Sequence, residues 1–592
     1  MGEKLNNRLK DQGYCKALAD LLFSEYVVGE ESGDAGEDVL QTEDYERMYP
    51  PRSISENAAV TRLGPSPTGF IHLGNLFMAT VNNRLAKQSG GKFFLRIEDT
   101  DQKREVEGAV PSLIQALNYF GIEFDEGVCL EKQDGTQGET HDGTQGKILA
   151  EHGGYGPYYQ SERIKIYRAF VRRLVLEGRA YPCFLTENEI EGIRAVQEAT
   201  KELPGIYGEY AEWRGADLEV IAEYIMKDRP YVVRFYADYD GVASEGESIL
   251  VKDGIRGDVK VPKNIIDVVI LKTDGLPTYH FAHVIDDHLM RTTHVVRGEE
   301  WLSSLPIHIA LFKALGFETP TYCHTALLMK LEEGVKRKLS KRKDPELALT
   351  YYIADGYHPL ALEEYLLTII NSNYEEWRIA NPTASNSDFS VTTEKMGSSG
   401  IMFDLEKLRK VSRDTLALLP ANELADFMIN WAKNEKPEIH KYFCKNKDLL
   451  TKALDVGRGG EKPRKDLCYA VQILDFISYF FDPLFEMEDQ LPDNISKEEA
   501  DKLLAGYVAS YDHDDNRERW FEKVRELAAC HGYAPAPKEY KNNPDMYKGH
   551  VGDVSTVIRL ALTGRRNSPD IYEIQQILGS ARVLERLELF FI

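Results

Sequence analysis

The sequence predicts an α/β fold followed by an all-helical C-terminal region, and three observations carry that prediction. From Val60 short strand-like runs alternate with helix-like ones; the alternation returns in "LPTYHFAHVIDDHLM" and "THVVRGEEWLSSLPIHIALFKALG" after an interruption; and beyond Arg342 nearly every segment has the helical period. Such alternation reads as a parallel sheet, so the two α/β pieces are expected to form one nucleotide-binding domain split by an insertion.

A chain of 592 residues is too long for one core, and about three to five domains are expected. The hydrophobic content of 43% is globular, and the longest apolar stretch, near Ala470 to Phe485, is interrupted by Gln472, Asp475, Ser478 and Asp482. That falls short of a membrane span, so a soluble protein with no membrane partner is expected. The N-terminus has no apolar signal core, and the acid-rich segment between Lys16 and Arg47 holds no Lys or Arg, unlike a transit peptide. Cys15, Cys129, Cys183, Cys323, Cys444, Cys468 and Cys530 lie too far apart for a disulfide framework or a zinc pair. A cytoplasmic protein with reduced thiols and no structural metal is expected. The net charge of -24 argues against indiscriminate coating of nucleic acid but leaves room for one basic face.

Taken in order, residues 1–57 begin with a helix-like piece and run into Gly and acidic residues, which reads as a partly helical, solvated extension. Next come "TRLGPSPTG", a helix from Gly74 to Lys87 stopped by "SGG", and the strand-like "KFFLRIE". The repeated "DGTQG" at Asp134 and Asp142 reads as a surface loop without chemistry. A mixed region follows "EGRAYPCFLT" and reaches Asp267, and the stretch from Asn373 to Gly400, rich in Asn, Ser and Thr, reads as a polar linker. The helical C-terminal third, without clustered His, Cys or Asp, suits a binding module.

Two motifs point to chemistry. In "TRLGPSPTGFIHLGNL" the prolines stiffen the turn, Gly69 permits an unusual backbone angle and Gly74 leaves the helix start bare. Unpaired N–H groups at that helix start, with His72 as an added donor, suit a phosphate. Alone, this is an ordinary glycine turn. The second motif, "KRKLSKRKD" at 336–344, is by itself an exposed basic run. A Lys-rich loop facing a helix N-terminus, however, suits the charge that builds on a pyrophosphate leaving group. Together the two imply attack on the α-phosphate of ATP.

"FIHLGN" at 70–75 resembles the HIGH signature, and "KLSKR" at 338–342 the KMSKS signature, of class I aminoacyl-tRNA synthetases. "RLGPSPTG", "LRIEDTD" at 95–101, "YYQSER" at 158–163, "DGLPTYHFAHVIDDHLM" at 274–290 and "RGEEW" at 297–301 are similar to glutamyl-tRNA synthetases. "FDLEKL" at 403–408 and the motif at 561–587 resemble the helical anticodon-binding region of that family's bacterial type. Glutaminyl-tRNA synthetases carry Pro-Glu-Pro-Asn-Gly where this chain has Pro65-Ser66-Pro67-Thr68-Gly69 and typically end in β-barrels. The short paralogue that modifies queuosine in tRNA lacks the helical third.

The resemblance implies a split Rossmann-type catalytic domain at 58–184 and 269–332, with an inserted acceptor-end-binding domain at 185–268. A stem-contact domain with the KLSKR loop would span 333–415 and a helical anticodon-binding domain 416–592, behind the extension at 1–57. It implies ligation of L-glutamate to tRNA(Glu) through a glutamyl-adenylate, with ATP and Mg²⁺ as substrate, in a monomer. Arg62 and Arg297 would hold carboxylates, Arg62 and Tyr279 on the side chain, while Glu98 and Ser66 would receive the ammonium. Bland alternatives are pairing of Glu98 with Arg96 or Arg104 and Tyr279 as core. His72 and Gly74 would hold ATP beside Glu300 and Trp301, and Lys338, Ser340 and Lys341 would steady its phosphates. His72, Lys338 and Lys341 would be the catalytic residues. No metal-ligating residue is implied; Asp286 and Asp287 read as structural, and Phe184 and Leu185 after Cys183 break the zinc pair of some members. His283 stands where many members have Asn. A catalytically silent tRNA-binding paralogue would predict damaged signatures, yet His72, Gly74, Lys338, Ser340 and Lys341 are intact. A small-molecule nucleotidyltransferase would not explain the helical third. Ala417, near a position where some members carry Arg, hints that tRNA(Gln) is charged as well.

Overall fold

The computed structural model describes residues 8–26, 39–69, 71–132, 147–237, 247–340, 343–458 and 464–590. It divides into two compact units, one formed by Met1–Leu349 with Leu366–Phe403, the other by Thr350–Tyr365 with Asp404–Ile592.

In the first unit β1 (Val60–Leu63) pairs in parallel with β2 (Lys92–Leu95), and β2 with β3 (Glu126–Lys132). All four β1 residues are buried, as a central parallel strand requires. β3 returns as an antiparallel hairpin through β4 (Lys147–His152). The two "DGTQG" copies lie between these strands, outside the described residues. β5 (Ala180–Cys183) and β6 (Val232–Phe235) pair antiparallel, while β7 (Ser248–Asp253) and β8 (Gly257–Pro262) form a separate hairpin. β9 (Val269–Leu271) then pairs with β6, so one three-stranded sheet straddles both expected ends of the insertion. The parallel sheet resumes with β10 (His294–Gly298) and β11 (Thr321–Thr325), which pair in parallel. β10 lies along β1, where the Thr293 amide donates to the Val60 carbonyl at 3.0 Å. β12 (Leu328–Glu332) and β13 (Val335–Lys338) form the hairpin that leads into the KLSKR segment, and β14 (Ile401–Met402) pairs with β12.

The leader is not the solvated appendage expected from its composition. Its described parts carry helices Gln12–Leu22 and Thr42–Met48, and Leu9, Leu18, Leu22, Phe23, Tyr45 and Tyr49 are buried in one cluster with Tyr167 and Phe170 of helix Ile164–Leu176. Gly178, at φ +69°, lets the leader backbone pass, because a Cβ there would strike the Leu9 carbonyl. Polar clasps complete the docking: Arg52 forks onto Glu126 at 2.6 and 3.0 Å, Glu46 pairs with His288 at 2.6 Å and Arg291 at 2.9 Å, and the Tyr49 hydroxyl donates to the Gly156 carbonyl at 2.8 Å. The acid-rich text of the leader concealed an apolar stripe at helical spacing.

The stretch read as a polar linker is also packed. Tyr374, Phe389 and Val391 are buried, the Gln88 amide exchanges hydrogen bonds with the Val391 backbone at 2.6 and 3.0 Å, and Arg84 donates to Asn386. Its few apolar residues, spread among Asn, Ser and Thr, suffice to anchor it. In the second unit helices from Leu405–Leu418 to Ser580–Leu589 close over a core that includes Met428, Trp431, Leu504 and Ile558.

Replacing Arg52 by Ala leaves the Glu126 carboxylate, now held below its ordinary range by Arg52 against the effect of burial, without its partner. A loss of about 3 kcal/mol is expected. Urea unfolding checks it: the midpoint of Arg52→Ala should fall, and adding Glu126→Gln should restore part of it.

Candidate functional site

A cleft of about 1470 Å³ opens in the first unit at the carboxyl ends of β1 and β10. That is where an open α/β sheet offers a crevice to ligands. Arg62, Ser66, His72, Gly74, Glu98, Tyr279, Arg297, Glu300, Trp301 and Lys338 all line it. Of the remaining expected site residues, Ser340 is described outside the lining and Lys341 lies outside the described residues.

His72 is the N-cap of helix Leu73–Ser89, in extended backbone, and its amide donates to Asn75 Oδ1 at 3.1 Å. The helix start therefore faces the cleft, which His72, Gly74 and Asn75 line. A Cβ on Gly74 would lie 3.0 Å from the His72 ring, so the bare position also gives that imidazole its place. His72 makes an antiparallel bridge with Ala348, which brings the chain just after the KLSKR segment to the same helix start.

That segment is pinned from behind. Asp344 takes Arg337 at 2.6 and 2.8 Å and the Ser340 amide at 2.8 Å, while Lys330 pairs with Glu346. Arg337 and these hydrogen bonds hold the Asp344 carboxyl well below the usual carboxylate range. Two cations of the loop's neighbourhood, Lys330 and Arg337, are spent on structure, and Lys338 is left lining the cleft. Only the acids in "KRKDPE" hinted at this.

At the other end, β1 delivers Arg62, whose Nε lies 3.3 Å from both Asp287 oxygens. Glu98 pairs with Arg96 at 3.0 Å, one of its bland alternatives, and still lines the cleft. Burial raises the Glu98 carboxyl, and Arg96 and Arg62 draw it back. Gly64 makes room for it, since a Cβ there would strike Glu98 Oε1. Tyr279 is half-buried, 4.5 Å from Trp301 and 5.7 Å from His283 between ring centroids. His283 is fully buried behind it, bonded to the Tyr322 hydroxyl at 2.9 Å and 2.7 Å from Asp287, and burial lowers its pKa to about 3. It is absent from the cleft lining and braces Tyr279 and Asp287 instead. Asp286 takes Arg163, Gln160 and Tyr167 at 2.7 to 2.8 Å, and Asp287 takes Arg96 at 2.7 Å. Both oxygens of each carboxylate are engaged, those of Asp287 by Arg96 and Arg62 together.

Arg297 was expected, but its surroundings were not. Its Nε donates to His324 Nε2 at 2.9 Å, one terminal nitrogen faces His308 Nδ1 at 3.1 Å, and the other donates to the Trp301 carbonyl at 3.4 Å. His324 sits opposite Arg297 in the β10–β11 register. No motif joins residues so distant in sequence; only strand pairing brings them together. Cys183 is buried in the apolar cluster, and among the described residues no group of His, Cys, Asp and Glu is arranged to hold a metal. Ala417 is buried in helix Leu405–Leu418. Among the described residues no helix is long and apolar enough to cross a membrane.

A parallel sheet split by an insertion, with a His-capped helix start and a Lys hairpin meeting over one cleft, defines a class I aminoacyl-tRNA synthetase. Residues 58–410 match the family model "tRNA synthetases class I (E and Q), catalytic domain", and 546–591 match "Anticodon binding domain". The chain is 52% identical to the glutamate-tRNA ligase of Acetivibrio thermocellus over 97% of its length and 99% of the relative's. It is 45% identical to that of Clostridium perfringens strain SM101 over 92% of this chain and 96% of the relative. The crystal structure of a glutamate tRNA ligase from Elizabethkingia meningosepticum, in complex with its amino acid, superposes with TM-score 0.65 at 26% identity over 90% of this chain and 99% of that one. The chain belongs to the glutamate-tRNA ligases. A match over 97% of the chain leaves too little uncovered to omit the leader, so the Acetivibrio relative shares most of it.

Asp344→Ala should free the KLSKR segment, and limited trypsin cleavage within 336–343 is expected to speed up about threefold or more. Because the folded carboxyl is depressed, the staple is complete above the unfolded value of about 3.9 and is lost only as pH falls toward the folded one. Cleavage of the unsubstituted protein should therefore be unchanged between pH 6 and 8, read with a protease whose own pH profile is corrected for.

Proposed function

We propose that this chain ligates L-glutamate to the 3′ end of tRNA(Glu), as its relatives' name describes, and that the cleft just described carries both steps. The supporting observation is that one cleft is lined by the residues of both signatures and by the arginines and acid suited to glutamate. A glutamate α-carboxylate oxygen attacks the α-phosphorus of ATP, the bond to the bridging oxygen breaks, and pyrophosphate leaves with Mg²⁺. The terminal ribose hydroxyl of the tRNA then attacks the acyl carbon and AMP departs. The nucleophiles are substrate oxygens, so the protein's part is positioning and charge stabilisation.

In this reading Arg62 and Tyr279 hold the side-chain carboxylate, Arg297 the second carboxylate, and Glu98 with Ser66 the ammonium. His72, Gly74, Glu300 and Trp301 receive ATP, and Lys338, Ser340 and Lys341 steady the phosphates that leave. The insertion at 185–268 grips the acceptor end, 333–415 contacts the stem and the C-terminal helices read the anticodon by stacking and edge contacts. The enzyme acts as a cytoplasmic monomer, and tRNA(Gln) is a second candidate substrate.

Aminoacylation with labelled glutamate on tRNA(Glu) and tRNA(Gln) transcripts tests the proposal. Charging of tRNA(Glu) alone marks a discriminating enzyme, charging of both marks a product for a downstream amidating enzyme, and binding of tRNA without charging would overturn the reading. Lys341→Ala should lower the rate about 100-fold with the glutamate KM nearly unchanged, the signature of a contact made in the transition state. Glu98→Gln should raise the glutamate KM about tenfold and leave the ATP KM alone, as expected for one lost charge-assisted hydrogen bond.

A further inference from the structure

We infer that His308 and His324 are positioning and specificity residues that hold Arg297 by accepting its N–H groups without neutralising its charge. The inference rests on the assignment of Arg297 to a substrate carboxylate. Arg62 in the same pocket wall, and Arg96 buried behind it, are held by carboxylates, Asp287 and Glu98. Arg297 is equally buried, with 5% of its surface exposed, yet its contacts among the described residues are two imidazole nitrogens, one carbonyl and the Tyr322 ring, 4.7 Å below the guanidinium. Three acceptors take three of its five N–H groups, leaving two for a ligand in the cleft it lines.

A guanidinium only donates, so the network dictates where each imidazole carries its proton. His324 accepts on Nε2, which puts its proton on Nδ1, and that nitrogen lies 2.6 Å from Asp253 Oδ2. His308 accepts on Nδ1, which puts its proton on Nε2, 3.0 Å from His280 Nδ1. Asp253 also takes the Ile255 and Arg256 amides at 2.9 Å, so its orientation is fixed in turn. Burial lowers the pKa of both imidazoles and Arg297 adds to the effect, against an opposing pull from Asp253 at His324, in keeping with the neutral form that accepting from a guanidinium requires. A buried cation without a paired anion is costly. The ligand's carboxylate supplies that anion, and the cost becomes affinity for an acidic substrate.

The test is glutamate and ATP KM in aminoacylation by the full-length enzyme with its tRNA. Asn places an oxygen near the position of Nδ1 and Gln near that of Nε2, so His308→Asn and His324→Gln should stay within about threefold of the parent glutamate KM. His308→Gln and His324→Asn, which misplace the acceptor, should raise it about tenfold, one hydrogen bond's worth. His308→Asp matches Asn in shape and adds only a charge; it should raise glutamate KM more than tenfold over His308→Asn, with ATP KM within about twofold. Equal effects of Asp and Asn, or no difference between Asn and Gln at either position, would overturn the inference and leave a packing role. An Arg297→Met enzyme with unchanged glutamate KM would instead overturn the assignment of Arg297 itself. If His308→Asp does not fold, the Asn and Gln exchanges still decide the matter.

Discussion

Two adjacent carboxylates, Asp286 and Asp287, buried near the middle of the first unit, are the constraint around which the catalytic unit is arranged. Neither can be left unpaired at that depth, and the donors that pair them come from distant parts of the chain. Arg62 comes from β1, Arg96 from the end of β2, and Arg163 from the turn before helix Ile164–Leu176. The aspartates themselves sit on the helix after the insertion. Burial alone would raise Asp287, but Arg62, Arg96 and His283 hold it well below the carboxylate range. Removing any partner would strand a charge, so the pairing requires both halves of the split domain to be assembled together. The edge of this network is also the floor of the cleft, because Arg62 and Glu98 belong to both.

The charges of the cleft are therefore uneven by construction. On the Arg62 side the cations are shared among fixed acids, so a ligand there meets hydrogen-bonding geometry more than net charge. On the Arg297 side the partners are neutral and the charge is retained. The helix start at His72 and the exposed Lys338 add a third positive region. A substrate pair with carboxylates at one end and phosphates at the other matches that layout.

Much of this was legible in the sequence, because motif residues close in sequence are also close in space: Arg62, Ser66, His72 and Gly74 lie within one short stretch and line one cleft. Tyr279, Glu300, Trp301 and Arg297 were legible for the same reason. What stayed hidden is built from pairs far apart in the chain. His324 meets Arg297 only through strand register, Asp344 reads as one more charge in a charged run, and Gly178 reveals nothing until the leader's Leu9 lies against it. Composition misled where a few apolar residues decide the outcome. The leader and the stretch around Phe389 look solvated by count and are anchored by Phe23, Tyr49, Tyr374 and Val391.

The insertion leaves from β5 and returns through β9, and both strands flank β6, which belongs to the insertion itself. Its outer hairpin is tied down as well: the Gly254 amide donates to the Tyr322 carbonyl at 2.7 Å, and Arg256 pairs with Glu299. It is thus not hung on two flexible strings. Leu185, Ile190 and Arg234 of this region also line the cleft. A macromolecule bound to the insertion would therefore touch a region that shares side chains with the wall of the cleft.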